Sequence, residues 1–210
     1  MEQTKKISII LDRLGRAYGE PQCALDYGNT FELLIAVILS AQCTDKRVNV
    51  VTKELFRVAP TPEAMLALGY DKRVEYIYSC GFYRNKARNI LSCCADLLER
   101  YGGIVPSDRN ELKTLAGVGD KTANVVYAVG FGGQAIPVDT HVGRLARRLG
   151  LSAAQNPSIV MRELEAITPH ERKTLLHHLL ITHGRQVCSS QRPKCNDCPL
   201  QEICAYLQEK

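Results

Sequence analysis

The chain has 210 residues, of which 45% are hydrophobic, 23% charged and 6% aromatic, and its formal net charge is +5. This composition excludes a disordered or fibrous protein, and the mild positive charge suits a polyanionic partner such as nucleic acid. The longest apolar run, Leu33 to Leu39, is far shorter than the roughly 20 residues of a membrane span, and the first residues lack the apolar segment of a signal peptide. We therefore expect a cytoplasmic protein with no membrane segment.

Apolar residues at helical spacing run through most of the chain. Thr61 followed by Pro62 marks a helix start, because a side-chain oxygen caps free amides and proline fits the first helical position. Alternating patterns typical of strands are missing apart from short ambiguous runs, so the predicted fold class is all-α. Helices are predicted at about residues 7–14, 31–39, 48–58, 72–78, 85–101, 108–115, 121–129, 140–149, 157–167 and 171–182.

The connections between these helices are short and carry Gly or Pro. The candidate domain boundaries lie at residues 21–23 and at Gly132-Gly133. They suggest two lobes, one formed by residues 23–133 and the other by residues 1–22 together with 134–210.

Nine cysteines are unusual in a chain without an export signal, and their distribution is uneven. Four crowd together near the C-terminal end, and in a reducing cytosol such a group is more typical of metal ligands than of disulfides. The spacing suits zinc and iron–sulfur equally, although structural zinc usually has two close pairs and only Cys195 and Cys198 are close here. We interpret the five scattered cysteines as core residues. The crowded four are Cys188, Cys195, Cys198 and Cys204, and the scattered five are Cys23, Cys43, Cys80, Cys93 and Cys94.

A turn with the sequence Gly117-Val118-Gly119 separates two predicted helices. Glycines there allow a close approach of the backbone to a ligand, and the free amides of the next helix suit a phosphate oxygen. A plain helix-to-helix turn is the alternative. The third glycine and the preceding strand of a dinucleotide-binding fingerprint are missing.

Lys121 and Asp139 are the two candidate catalytic residues. Lys121 begins an apolar helix, where the positive helix end, with partial burial, would favour the neutral amine that can attack carbon. A solvated surface lysine is the alternative. Asp139 also begins a helix, so a capping role is its alternative, and both roles can coexist. We interpret His141 and the pair His177-His178 as exposed or core residues, since no carboxylate lies at metal-ligand spacing.

Three motifs in order carry a resemblance to a known family. They are the turn Leu-x-Gly-Val-Gly-x-Lys-Thr-Ala-Asn, the segment Val-Asp-Thr-His placed 18 residues past Lys121, and the spacing Cys-x6-Cys-x2-Cys-x5-Cys. Together they resemble the endonuclease III family of helix-hairpin-helix DNA glycosylases, from about residue 7 to residue 206. Residues 31–42 and 183–185 also resemble family segments.

The resemblance implies a two-lobed all-α protein, with a six-helix barrel lobe and a lobe that carries an iron–sulfur cluster. It implies a bifunctional enzyme that excises oxidised pyrimidines from duplex DNA and then nicks the strand at the abasic site. The implied partner is duplex DNA with a damaged pyrimidine or an abasic site. We expect a monomer in a bacterial-type cytoplasm, associated with the nucleoid.

The resemblance also implies roles for the catalytic and cluster residues. Lys121 would be the nucleophile that attacks the sugar and forms a Schiff base, and Asp139 would activate that attack and stabilise positive charge on the sugar. A [4Fe–4S] cluster would be held by Cys188, Cys195, Cys198 and Cys204.

The remaining implied roles concern DNA contacts. Gln42 would fill the gap left by a flipped base and Phe82 would be a wedge, with a core aromatic as the alternative for Phe82. Gly117, Val118 and Gly119 would offer amides to a phosphate. Arg192 and Lys194, in the loop between the first two cluster cysteines, would face phosphates, with an exposed charge pair as the alternative.

The chain departs from the family pattern at two positions. Asp120 stands where many relatives have a basic residue, which weakens phosphate attraction, and Ala116 stands where proline is usual.

Two other functions are the alternatives to a bifunctional enzyme. A mismatch adenine glycosylase of the same fold lacks a lysine at the position of Lys121 and carries a further C-terminal domain. A module that only grips DNA has no need of a nucleophile.

Overall fold

A computed structural model describes residues 2–208. No strand occurs among these residues, so the predicted all-α class is confirmed. None of the described helices has both the length and the hydropathy that a membrane crossing requires. The α-helices are α1 (Gln3–Tyr18), α2 (Thr30–Ser40), α3 (Asp45–Val58), α4 (Pro62–Ala67), α5 (Tyr70–Ile77), α6 (Tyr83–Tyr101), α7 (Arg109–Thr114), α8 (Asp120–Phe131), α9 (Thr140–Arg148), α10 (Pro157–Ile167), α11 (Lys173–Gln186) and α12 (Ala205–Gln208).

The chain separates into two compact units, one of residues 24–133 and the other of residues 2–23 with 134–208. The first unit is built on α2, whose residues from Phe31 to Leu39 are all buried except Glu32. A helix that is apolar on all sides needs neighbours on all sides, and α2 packs against α3, α6 and α8.

A buried arginine links helices α4, α5 and α6 of this unit. Arg73 of α5 is fully buried, and its guanidinium donates hydrogen bonds to the carbonyl oxygens of Met65 in α4 and Ala87 in α6. These bonds offset part of the cost of burying a cation, and the buried Nε of Arg73 has no hydrogen-bond partner among the described residues.

The second unit joins the first helix of the chain to its C-terminal part. The apolar face of α1, formed by Ile7, Ile10 and Leu14, is fully buried, and α1 packs against α10 and α11. Arg13 donates to the carbonyl oxygen of Pro199 at 2.9 Å and forms an ion pair with Glu202 at 2.6 Å.

Local signals predict most helix starts correctly. The Thr61 hydroxyl accepts a hydrogen bond from the amide of Ala64 and Pro62 is the first helical residue, as predicted. Helix α11 continues to Gln186, four residues past the predicted end.

The interpretation of the five scattered cysteines as core residues is confirmed for Cys80, Cys93 and Cys94. It is wrong for Cys23 and Cys43, which lie in connections and are partly exposed.

Candidate functional site

The Gly117-Val118-Gly119 turn joins α7 to α8, and its shape depends on glycine. Gly117 has φ +80°, and a Cβ at this position would lie 2.9 Å from the Cβ of Asn89. Val118 is buried, and its amide donates to the carbonyl oxygen of Leu115. The prediction that the Val118 amide contacts a phosphate is therefore wrong, because this hydrogen bond within the turn already uses it. Gly119 precedes α8 and no side chain caps that helix. The turn therefore leaves the first amides of α8 without a side-chain acceptor, as an anion site requires.

Lys121 is the second residue of α8 and its side chain is exposed. The expected partial burial of Lys121 is therefore wrong. Its neighbour Asp120 forms an ion pair with Lys113 of α7, at 2.7 Å. The acidic residue at this family position is thus engaged by a lysine of the same hairpin, while the amine of Lys121 is accessible.

Asn124, one turn further along α8, holds the hairpin together. It is the last residue of the Leu-x-Gly-Val-Gly-x-Lys-Thr-Ala-Asn motif, but no role for it was predicted from the sequence. Its side chain donates to the carbonyl oxygen of Asp120 at 2.7 Å and accepts from Arg109 of α7 at 3.0 Å. Asn124 is nearly fully buried. A buried polar residue in an apolar helix, as here, is the sequence signal that could have identified it.

Gln42 and Phe82 are both exposed and both have left-handed backbone conformations. Their φ angles are 52° and 58°, and no other non-glycine residue of the described chain has a positive φ. Phe82 is 64% exposed, so the alternative of a core aromatic residue is wrong. Backbone strain of this kind costs about 1–3 kcal/mol and clusters at functional sites.

The two strained residues lie on segments that touch. A Cβ built on Gly81, next to Phe82, would lie 3.0 Å from the carbonyl oxygen of Gln42. Lys86 of α6 is buried, and its ammonium donates to the carbonyl oxygens of Leu39 at 2.8 Å and Ala41 at 2.6 Å. Burial lowers the pKa of Lys86. The lysine therefore ties the end of α2 to the start of α6, which sequence reasoning missed.

Asp139 caps α9 with its side chain. One carboxylate oxygen, Oδ1, accepts hydrogen bonds from the amides of His141 and Val142, both at 2.9 Å. The capping alternative is confirmed as a structural role. Asp139 is half-buried, and His141 in turn lies 3.1 Å from the guanidinium of Arg144.

The cysteine-rich segment is held by arginines of α9. Arg144 donates to the carbonyl oxygens of Cys188 and Gly184. Arg148 donates to the Cys188 Sγ at 3.2 Å and to the carbonyl oxygen of Ser189 at 2.7 Å. These contacts fix the start of the segment by side-chain hydrogen bonds instead of regular secondary structure.

A buried histidine connects the same segment to α1. His183 Nε2 lies 3.4 Å from Cys198 Sγ, and His183 Nδ1 lies 2.8 Å from the hydroxyl of Tyr18. Burial lowers the pKa of His183 to about 4, so its ring is neutral at pH 7. Of the three histidines predicted to be exposed or core residues, His177 is buried, and His141 and His178 are partly buried.

The four crowded cysteines lie close enough to influence one another. Burial raises the pKa of Cys198, and the thiols of Cys204, Cys188 and Cys195 raise it further. Within residues 2–208 no group of three or more His, Cys, Asp or Glu side chains is arranged to hold a metal ion.

Arg192 and Lys194 lie in the loop between Cys188 and Cys195, and both are exposed. The amide of Lys194 donates to the carbonyl oxygen of Val187 at 2.9 Å, which folds the loop back on itself. Among the ion pairs of the described residues, none involves either cation.

Residues 35–170 match the model of the HhH-GPD superfamily base excision DNA repair proteins. The chain is 46% identical to endonuclease III of Treponema pallidum, over 96% of this chain and 95% of that protein. It is 43% identical to endonuclease III of Escherichia coli K12, over 100% and 99%.

Solved structures of endonuclease III are also similar to this chain. A trapped covalent intermediate of an endonuclease III with DNA matches with a TM-score of 0.94 and 45% identity, over 100% of this chain and 99% of that one. A non-covalent endonuclease III–DNA complex matches with a TM-score of 0.95 and 45% identity, over 100% and 98%. A thermostable thymine-DNA glycosylase, at 22% identity and a TM-score of 0.87 over 99% and 98%, shares the fold.

Proposed function

The chain belongs to the HhH-GPD superfamily of base excision DNA repair proteins, and from this membership we propose that it is a bifunctional DNA glycosylase and abasic-site lyase. Its substrate would be duplex DNA that carries an oxidised pyrimidine or an abasic site. The observation that carries the proposal is Lys121, an accessible amine at the uncapped start of α8, in a chain similar to an endonuclease III trapped in a covalent DNA intermediate.

Binding would use the two kinds of DNA contact that the 24–133 unit offers. The start of α8, directly after the Gly117–Gly119 turn, would bind one phosphate through its uncharged amides, which no side chain caps. Gln42 and Phe82 would occupy the space that a flipped nucleotide leaves, since both are exposed and stand on fixed left-handed turns. Their strained backbone supports a functional role over a structural one.

The chemistry would then take place at the Nζ atom of Lys121. Its lone pair attacks the C1′ carbon of the sugar, and the glycosidic bond breaks with its electrons on the departing base, which takes up a proton. Ring opening gives a Schiff base between Lys121 and C1′. Loss of a C2′ proton then expels the 3′-phosphate by β-elimination, which nicks the strand.

Asp139 would supply the negative charge for these steps. Its Oδ1 is occupied by two amides, so Oδ2 is the oxygen available to accept a proton from the attacking amine or to stabilise the positive sugar. A carboxylate whose orientation is fixed by a helix cap needs little reorganisation during the reaction.

We also infer that Cys188, Cys195, Cys198 and Cys204 hold a [4Fe–4S] cluster. Cys198 has its pKa raised by burial and by the other three thiols, so the four side chains lie near one another, with Arg144 and Arg148 close by. Such a group fits a cofactor whose four irons each take one thiolate. When bound, the cluster supplies four iron–sulfur bonds that fix this segment. The loop with Arg192 and Lys194 would then present two cations to DNA phosphates.

The central test is a comparison of Lys121→Ala with Lys113→Ala. Both remove one exposed lysine from the same hairpin, but only Lys121 is the proposed nucleophile. On a duplex with one thymine glycol, Lys121→Ala should lose base release and nicking, whereas Lys113→Ala should retain both. Borohydride should trap the wild type and Lys113→Ala on abasic DNA, because it reduces the Schiff base to a stable amine.

Two results would contradict the assignment. Normal base release and nicking by Lys121→Ala would show that another group is the nucleophile. Base release by the wild type without any trapped adduct would indicate a glycosylase that uses water.

The cluster has its own test. The purified protein should be yellow-brown, with about four irons per chain. Cys198→Ser should lose iron while Cys93→Ser, at a buried cysteine of the other unit, should keep it. One zinc per colourless chain would overturn the iron–sulfur assignment.

A further inference from the structure

Two cysteines outside the crowded group lie beside the strained residues of the 24–133 unit. Cys43 follows Gln42, and Cys80 is separated from Phe82 by Gly81. The backbones approach closely, since a Cβ added to Gly81 would lie 3.0 Å from the carbonyl oxygen of Gln42, and the adjacent thiols of Cys43 and Cys80 are close enough to interact. Chain segments that are 37 positions apart thus bring two sulfur atoms together.

The two thiols differ in access. Cys43 is partly exposed, whereas Cys80 is 1% exposed. Burial, followed by the nearby Cys43, raises the pKa of Cys80 to about 12. The accessible thiol is therefore the one that can meet a reagent from solution, and the buried thiol can react only with a partner already in contact.

Two cations lie near this pair. Lys86 and Arg47 both act electrostatically on Cys80, and Lys86 also interacts with Cys43. Cys43 lies just before Thr44, the cap of α3, where the helix end adds a positive field. Reactive cysteines occupy such electropositive, partly exposed places, while inert ones are buried in apolar surroundings.

We propose that Cys43 and Cys80 form a redox-active thiol pair that a low-molecular-weight disulfide converts into an intramolecular disulfide. Cys43 is the attacking sulfur and Cys80 is the resolving sulfur.

The steps balance with oxidised glutathione as the oxidant. The Cys43 thiolate attacks one sulfur of the glutathione disulfide, so a Cys43–glutathione bond forms and one glutathione thiolate leaves. The Cys80 sulfur then attacks Cys43, gives its proton to a glutathione thiolate and releases the second glutathione. The protein loses two electrons and two protons, and one glutathione disulfide becomes two thiols.

The disulfide would act on the residues next to it. It would join the segment of Gln42 covalently to the segment of Phe82, and restrict both when a nucleotide is flipped. This consequence rests on the proposed function, whereas the formation of the disulfide does not. We expect the oxidised protein to release thymine glycol at least about tenfold more slowly, since small misplacements of positioning groups have effects of this size.

The test treats the iron-loaded protein with oxidised glutathione, alkylates the remaining thiols and maps the cysteine peptides by mass spectrometry. The wild type should give a linked Cys43–Cys80 peptide that is lighter by two hydrogen atoms than its two parts. Cys80→Ala should instead keep a glutathione adduct on Cys43, and Cys43→Ser should give neither. Cys93 and Cys94, both fully buried, serve as internal controls that remain alkylatable only after unfolding.

Two results would overturn the thiol pair. One is a lasting glutathione adduct on Cys43 of the wild type, and the other is free Cys43 and Cys80 after treatment with the cluster absorbance intact. The base-release assay is separate. A linked protein with unchanged base release would overturn the effect on repair, and an inactive reduced wild type would count against the proposed function alone.

Discussion

Helices α8 and α9 carry the two proposed catalytic residues, but their first turns are built in different ways. Gly119 begins α8 and provides no side chain, and the preceding turn takes its shape from the positive φ of Gly117. Asp139 begins α9 and fills two of its amides with a carboxylate oxygen. One helix start is shaped by backbone conformation and the other by a charged side chain.

The difference separates binding from chemistry. A helix start without a capping side chain keeps its amides for a ligand, so α8 can bind an anion while an adjacent lysine remains accessible. A capped start has no such vacancy, but it holds a carboxylate in one orientation. Mutations at the two helix starts should therefore act differently. At α8 they should change the backbone conformation of the turn, and at α9 they should change the charge beside the substrate.

The largest effect is expected from Asp139→Asn. Asparagine caps a helix about as well as aspartate, so the free energy of unfolding should barely change. The loss of charge should slow base release by roughly 10²–10⁴-fold, the usual range for one catalytic group. Asp108→Asn is the matched control, because Asp108 caps α7 through the amides of Asn110 and Glu111. Equal activities of the two variants would reduce Asp139 to a capping residue.

Gly117→Ala should sharpen the contrast from the side of α8. Alanine is strained at φ +80°, and its Cβ would lie 2.9 Å from the Cβ of Asn89, so we expect a loss of roughly 2–4 kcal/mol in stability. Gly119→Ala is the control, because φ is −87° and no atom lies within 4 Å of the added Cβ. Urea unfolding measures both. A similar loss in the two variants would show that the turn does not depend on the conformation of Gly117.

The smallest effect is expected from the loop with Arg192 and Lys194, and it distinguishes DNA binding through charged side chains from binding through backbone amides. Replacement of Arg192 and Lys194 by alanine should lower the slope of log affinity against log salt by roughly two units, at about 0.9 per phosphate contact. Damaged and undamaged duplexes should lose affinity alike. The single-turnover rate at saturating enzyme should remain unchanged. The control replaces Lys5 and Arg162, two exposed cations on α1 and α10. An unchanged slope with intact iron would leave the loop a structural element.

Features that depend on neighbours in the chain could be predicted from sequence. The Thr61 cap, the Asp139 cap and the all-α class follow from local patterns, and the family match supports the resemblance drawn from the motifs. The exposure of Lys121 could not be predicted this way, because it depends on what packs over a helix end.

Contacts between distant segments also escaped prediction. The bonds of Lys86 to Leu39 and Ala41 span 47 and 45 positions, and no pattern in either segment indicates the other. The same holds for the bonds from Arg148 to Ser189 and from Tyr18 to His183. Left-handed conformations at Gln42 and Phe82 are likewise imposed by tertiary contacts, since neither residue prefers them.

The pairing of α1 with the C-terminal part of the chain also affects biosynthesis. Tyr18 lies 165 positions before its partner His183. At 5–20 residues per second, a ribosome needs roughly 10–30 s between the two. Residues 24–133 can pack within that time, whereas the apolar face of Ile7, Ile10 and Leu14 belongs to a core formed by residues from Ile136 onward, and the helices that pack against α1 most, α10 and α11, emerge later still. The nascent chain therefore exposes an unpartnered amphipathic helix during most of its synthesis, and its second unit can close only near the end of translation.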